Sequence, residues 1–253
     1  MKKTNILLSS AVLIASLVNG GSVFAATGVG SDANPSTADT PVSATLTVPH
    51  TDTPKAPTDP DNPDKGLNEQ GAVSGEDGNL GIAYYPKAFN FSGSLGQSTL
   101  TLPDSGNNDT VPNTTYNIGV KDNTHTNNNW ELTATLSWTK GDLPGSTIQL
   151  NNTNGTVMQN NNNGKNNFME SDLVAQNPVV VTGEKNVSIG MSPTKIMSKE
   201  NTTVGIGTYD YKLGDLGTLK LNIPDATSLK AGNYSGKVTW NLAVTPGTTV
   251  GTN

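Results

Sequence analysis

No cysteine occurs in the 253 residues, and every one of the 15 basic residues is lysine. Without cysteine there is no disulfide, no thiol nucleophile and no lipid-modified cysteine at a processed N-terminus. Without arginine the planar fork that grips phosphate or carboxylate through two bonds is missing. The formal charge is −6, and loss of Lys2 and Lys3 with the first 25 residues would take it to −8. Nucleic acid and anionic lipid, which reward clustered positive charge, are therefore not expected partners.

Histidine is almost as scarce, with His50 beside a proline-rich segment and His125 in an Asn/Thr-rich loop. Neither has a second histidine or an acid at ligand spacing, so zinc binding and Ser-His-Asp catalysis lack their parts. No Gly-rich phosphate loop joins a strand to a helix, and no cofactor is implied. Glycosidase chemistry needs only two carboxylates. Glu131 and Asp122 lie near the main strand described below, but nothing marks them as a pair, and a single acid on the polar face of a strand is ordinarily just solvated. No catalytic residue and no metal site is assigned. The run Asp59-Pro60-Asp61-Asn62-Pro63-Asp64-Lys65-Gly66 lacks the bidentate Glu of a calcium loop and is broken by prolines.

Aromatic residues make up 5% of the chain, and helical apolar spacing is absent beyond the N-terminus. Glycine, asparagine and threonine are abundant instead, which suits short strands joined by turns and disfavours helices. At the N-terminus, Lys2 and Lys3, an apolar run from Ile6 to Val18, and Val23-Phe24-Ala25 have the order of a secretory signal peptide cut after Ala25. That apolar run is too short for a membrane span, which takes about 20 residues.

Two stretches organise the rest. In Trp130-Glu131-Leu132-Thr133-Ala134-Thr135-Leu136-Ser137-Trp138, the apolar residues fall on one face of a strand and the polar ones on the other. The pattern recurs near the C-terminus, with Val238, Trp240, Leu242 and Val244 set against Thr239, Asn241, Ala243 and Thr245. Further strands are expected at Val42 to Val48, with Ala44, Leu46 and Val48 sharing a face, and at Leu80 to Tyr84. Others fall at Leu100–Leu102, Tyr116–Val120, Ile148–Leu150, Val179–Val181, Val187–Ile189, Val204–Ile206 and Leu219–Ile223.

Pro54, Pro57, Pro60 and Pro63 make residues 49–77 a Pro/Asp-rich loop or linker, extended and solvated. The asparagine-rich stretch from Asn151 to Asn167 reads as an exposed loop. Tyr234, just after Gly232, has the placing of a tyrosine corner whose hydroxyl bonds back to the corner backbone. The expected fold is an all-β antiparallel sandwich, Greek-key-like, with long loops.

The two motifs Asn129-Trp130-Glu131-Leu132-Thr133 and Thr239-Trp240-Asn241-Leu242 stand in a recognisable order with their flanks. Those flanks include Tyr116-Asn117-Ile118-Gly119-Val120-Lys121-Asp122, Gly232-Asn233-Tyr234-Ser235, Tyr85-Pro86 with Phe89-Asn90-Phe91, and Pro246. This ordered set resembles the WxL-domain surface proteins of Gram-positive bacteria over nearly all of the chain. It departs from them in its Asn/Thr-rich loop from Asn123 to Asn129, where the family often has a basic turn, and in standing almost alone.

With a signal peptide at 1–25 and a polar lead-in at 26–41, the resemblance places a WxL domain at 42–248. It also implies a secreted protein held non-covalently on the cell wall through peptidoglycan, alongside WxL-interacting or other surface proteins. Leu102-Pro103-Asp104-Ser105-Gly106 and Leu143-Pro144-Gly145-Ser146-Thr147 do not have the placing or spacing of a covalent sorting signal. Trp130, Leu132, Trp240 and Leu242 are the residues of interest. Their sharing of long apolar faces favours a role in building the sandwich, with only an indirect part in binding. A wall-active hydrolase and an adhesin for a host matrix protein are the alternative functions.

Overall fold

A computed structural model of the chain describes residues 39–58, 61, 66–71, 78–105, 115–200 and 204–245. The expected signal peptide, most of the calcium-loop-like run and the stretch beyond Thr245 lie outside these residues. The chain divides into two units, residues 1–45 and residues 46–253. In the first unit, residues 39–45 have no regular secondary structure and are exposed. The second unit holds every strand of the described residues.

The described residues form fourteen strands and one 3-10 turn, Glu170–Asp172. A six-stranded sheet runs in the order β1 (Asn68–Gln70), β2 (Leu80–Pro86), β4 (Thr115–Asp122), β12 (Gly207–Asp215), β7 (Val157–Asn160) and β8 (Leu173–Ala175). A four-stranded sheet is ordered β10 (Ser188–Ile189), β6 (Thr147–Gln149), β13 (Lys220–Ile223) and β3 (Leu100–Pro103). A second four-stranded sheet is ordered β14 (Ser235–Thr245), β5 (Asn129–Lys140), β11 (Thr194–Lys199) and β9 (Thr182–Gly183). Every pairing is antiparallel. The sheets do not close into a barrel, and the fold is the all-β sandwich expected from the alternation.

One continuous core joins the sheets. The six-stranded sheet supplies Tyr116, Ile118, Val120, Tyr209, Tyr211 and Leu213; the others supply Trp130, Leu132, Leu136, Ile148, Ile196 and Leu221. Burying each such side chain stabilises the fold by roughly 1.5–3 kcal/mol. The Leu136 amide donates to the Gly190 carbonyl (2.7 Å), which stitches the two four-stranded sheets together. The Tyr234 hydroxyl donates to the Lys230 carbonyl (2.9 Å), closing the corner before β14 as its placing predicted.

Several expectations are corrected. Val42–Val48 belongs to no sheet of the described residues and is exposed along its length. Val179–Val181 is irregular although Val180 and Val181 are buried. There the Gln176 side chain accepts from both valine amides (3.0 and 2.9 Å) and so replaces a neighbouring strand. Val204 and Ile206 are exposed, and the strand begins only at Gly207.

The Pro-rich segment is only partly solvated where it is described: Pro54, Ala56, Pro57 and Thr58 are buried, while Thr51, Asp52, Lys55 and Asp61 are exposed. Nor is the asparagine-rich stretch merely a loop: it contains β7, and Asn160 and Asn162 are buried. The two corrections share one cause. Proline has no N–H to enter a ladder, so side-chain amides hold the segment instead. Asn162 Oδ1 accepts from the Lys55 amide (3.0 Å), while Asn160 Nδ2 donates to the Lys55 carbonyl (2.9 Å). Asn68 Nδ2 donates to the Pro57 carbonyl (2.9 Å), and Gln70 Nε2 to the Pro54 carbonyl (3.0 Å).

The segment thus covers polar residues on the other face of the six-stranded sheet. Register aligns Tyr84, Gly119 and Asp210 across three strands. A Cβ on Gly119 would overlap the Tyr84 ring, so glycine lets that ring cross β4. Its hydroxyl then donates to Asp210 Oδ2 (2.7 Å), and Asn117 Nδ2 donates to Asp210 Oδ1 (2.8 Å).

Burial raises the Asp210 carboxyl to about 6, against the opposing pull of the Tyr84 and Asn117 hydrogen bonds. The unfolded carboxyl titrates near 3.9, so between those values the folded chain holds a proton that the unfolded chain has lost. The contribution of Asp210 to stability should therefore be greatest below about pH 4, fall by roughly 3 kcal/mol towards pH 6, and change little above it. Denaturant unfolding at pH 4 to 7 should show that slope in the native chain and its loss in Asp210→Asn.

Candidate functional site

The two Trp-x-Leu strands lie side by side. β14 pairs with β5 so that Trp240 faces Ala134, Leu242 faces Leu132, and Val244 faces Trp130. Small Ala134 leaves room opposite the indole of Trp240. At the far end, Gly236 faces Trp138, and a Cβ there would come within 3.0 Å of the Trp138 ring. The Trp138 indole donates to the Ser146 hydroxyl (2.9 Å).

The motifs differ in burial. Trp130 is 2% exposed and Leu132 fully buried, whereas Trp240 and Leu242 are only half-buried against the core. The difference follows from position in the sheet. β5 is flanked by β14 and β11, while β14 is the terminal strand. Val244, next along its inward face, is 46% exposed.

A buried polar centre locks the first motif. Trp130 Nε1 donates to Asp122 Oδ2 (3.0 Å), and Lys199 Nζ donates to the same oxygen (2.9 Å). Lys199 also donates to the Thr126 carbonyl (3.1 Å), and the Thr124 hydroxyl to Asp122 Oδ1 (2.7 Å). Asp122 therefore joins the end of β4, the loop after it, β5 and β11. The Tyr209 ring packs against Trp130, with centroids 6.2 Å apart. Burial, with Asp122 nearby, pushes the Tyr209 hydroxyl up to about 12.

The acids weighed from sequence fall apart in space. Asp122 is buried in this structural centre, while Glu131 points to solvent on the opposite face of β5. There Lys195 lies 3.9 Å from Glu131 and 3.5 Å from Glu184, and it donates to Glu200. The Lys195 ammonium is held above its ordinary pKa chiefly by that Glu200 hydrogen bond. His50 and His125 are both exposed. Among the described residues no group of three or more His, Cys, Asp or Glu side chains is placed to hold a metal ion. Sequence reasoning missed Lys199, because its strand Thr194–Lys199 carries no clean alternation.

The outward side of this sheet is polar. Glu131, Thr133, Thr135 and Ser137 of β5 stand beside Ala243, Asn241, Thr239 and Lys237 of β14. The residues between Trp and Leu in the two motifs, Glu131 and Asn241, thus point away from the core. A separate cavity of about 300 Å³ is lined by Asn152, Thr153, Asn154, Thr156, Lys212 and Asp215 among others. Its Asn152 amide is already spent on the Thr156 and Lys212 carbonyls, both at 3.1 Å.

The module is all-β and presents an amide- and hydroxyl-rich face along β5 and β14. The model of the family described as WxL domain surface cell wall-binding matches residues 33–246, and the chain belongs to that family. It is a surface protein of the cell wall, carrying a wall-binding domain. Comparison with curated proteins and with solved structures gives no match. No helix among the described residues is long and apolar enough to cross a membrane.

Removing one partner of a buried ion pair costs about 3–5 kcal/mol, because the other charge stays behind in the interior. Lys199→Met should therefore destabilise the protein by about that much in denaturant melts. Adding Asp122→Asn to it should recover part of the loss. Equal melting of the two variants would separate Asp122 from Lys199.

Proposed function

We propose that the protein is exported, retained on the wall by non-covalent contact with peptidoglycan, and assembled there with other surface proteins, WxL-interacting proteins among them. Family membership supports wall binding; peptidoglycan as ligand and the protein complex are the further step. The observation that carries the proposed mode of binding is the in-register pairing of β5 with β14. It turns the tryptophans and leucines inward and leaves one flat face of Thr133, Thr135, Ser137, Thr239 and Asn241.

Hydroxyl and amide groups match the hydrogen-bonding groups of a glycan or its stem peptide. Many such contacts act together along an extended polymer. In this reading Trp130 and Leu132 hold β5 in the core. Trp240 and Leu242 hold β14 against it, and the motif acts on the ligand through the face it positions. A formal charge of −6 makes attraction to anionic wall polymers an unsuitable mechanism.

The test is sedimentation of the chain from Ala26 with purified sacculi. The double variant Thr239→Ala, Asn241→Ala should bind several-fold more weakly at unchanged circular dichroism, because exposed substitutions shift stability by no more than about 0.5 kcal/mol. Binding should persist at high salt. Trp240→Ala should lose binding together with its native spectrum or melting temperature. A native, fully stable Trp240→Ala that no longer sediments would place the indole itself on the ligand. Release of soluble muropeptides in the same incubation would favour a hydrolase.

A further inference from the structure

Two unsatisfied features stand out, and each has what the other lacks. The first is Val42–Val48, bracketed by Pro41 and Pro49. It carries no charge, alternates Ala44, Leu46 and Val48 against Ser43, Thr45 and Thr47, and has no regular secondary structure. Val42 is 92% and Leu46 94% exposed. Strand-forming sequence of this kind, uncharged and unpaired, readily joins a free sheet edge. The family model includes these residues, so the segment is part of the domain rather than a leader.

The second feature is the outer edge of β14. This strand is eleven residues long and terminal in its sheet, so a row of its main-chain groups faces no strand among the described residues. Beside that edge Trp240 and Leu242 are half-buried and Val244 is exposed, an apolar stripe covered on one side only.

We propose that the protein forms a reciprocal dimer in which Val42–Val48 of each copy adds as an extra strand to the outer edge of β14 in the other. Seven extended residues span about 23 Å and the eleven of β14 about 36 Å, so the segment fits within the edge. Main-chain hydrogen bonds supply affinity in such strand addition, and alternate side chains supply specificity. Ala44, Leu46 and Val48 cover the open side of Val238, Trp240 and Leu242. Ser43, Thr45 and Thr47 then continue the outward row of Thr239 and Asn241, which widens the polar face.

The base of the segment is fixed. Asn123 Nδ2 donates to the Pro49 carbonyl (3.2 Å) and Lys121 Nζ to the Thr51 carbonyl, tying the chain after Val48 to the end of β4. Among the described residues neither the segment nor the edge has a strand partner. A two-fold exchange matches both at once, since each copy gives one strand and receives one. The proposal is independent of the wall ligand, and a failure to bind sacculi leaves it standing.

Analytical ultracentrifugation of the chain from Ala26 tests it. The expected result is a dimer at micromolar concentration that becomes monomeric in Leu46→Lys and on deletion of residues 26–48. Circular dichroism should be unchanged in Leu46→Lys, because within one copy that side chain is 94% exposed, while its melting temperature should no longer rise with protein concentration as that of the dimer does. The absence of cysteine allows a direct check with the double variant Thr45→Cys, Thr239→Cys and a short bis-maleimide. Cross-linked product at twice the chain mass supports exchange. A monomeric parent, a dimer indifferent to Leu46→Lys, or cross-linking confined to single chains overturns it.

Discussion

The register between β5 and β14 is the constraint on which the rest depends. Leu132 opposite Leu242, with Trp130 opposite Val244 and Trp240 opposite Ala134, directs both motifs to one side of the sheet. A slip of one residue would send one strand's apolar set to solvent and its threonines into the core. The alternation of both strands thus specifies their pairing, and Tyr234 bonded to Lys230 sets where β14 begins. Inward packing and an outward polar face are two results of the same ladder.

Around that ladder the protein compensates for a lean aromatic and aliphatic content with buried polar links. Asp122 gathers an indole, an ammonium and a hydroxyl. Asp210 gathers a phenol and an amide. Asn160, Asn162, Asn68 and Gln70 hold a proline-containing segment that cannot join a sheet. Such links are worth most where each group is fully paired, because an unpaired buried polar atom costs about 1–3 kcal/mol. They also tie strands distant in sequence: Asp122 to Lys199 and Tyr84 to Asp210 each cross the six-stranded sheet or its boundary.

The same residue types work at the surface in the opposite way. Threonine and asparagine on the outward side of β5 and β14 keep much of their hydrogen-bonding capacity towards solvent, where a polymer with many hydroxyls and amides could replace water. Wall association by this route needs no metal, no cofactor and no cluster of positive charge. The all-lysine basic set and the acidic balance fit it better than they fit an electrostatic anchor.

Period-two alternation at Trp130 to Trp138 and Val238 to Val244 was legible in the chain and determined that these are strands with one apolar face. The glycine, asparagine and threonine content likewise determined an all-β class, because those residues disfavour helix. Tertiary structure decided what alternation does not encode, namely which strand has a neighbour on each side. That choice buries Trp130 in the interior, leaves Trp240 half-covered at an edge, and gives Val42–Val48 no strand partner among the described residues in spite of an equally regular pattern. It also decided that asparagines which read as loop would turn inward. A buried amide is stable only beside the backbone groups it satisfies, and those groups come from a segment about a hundred residues away, as Asn162 does with Lys55.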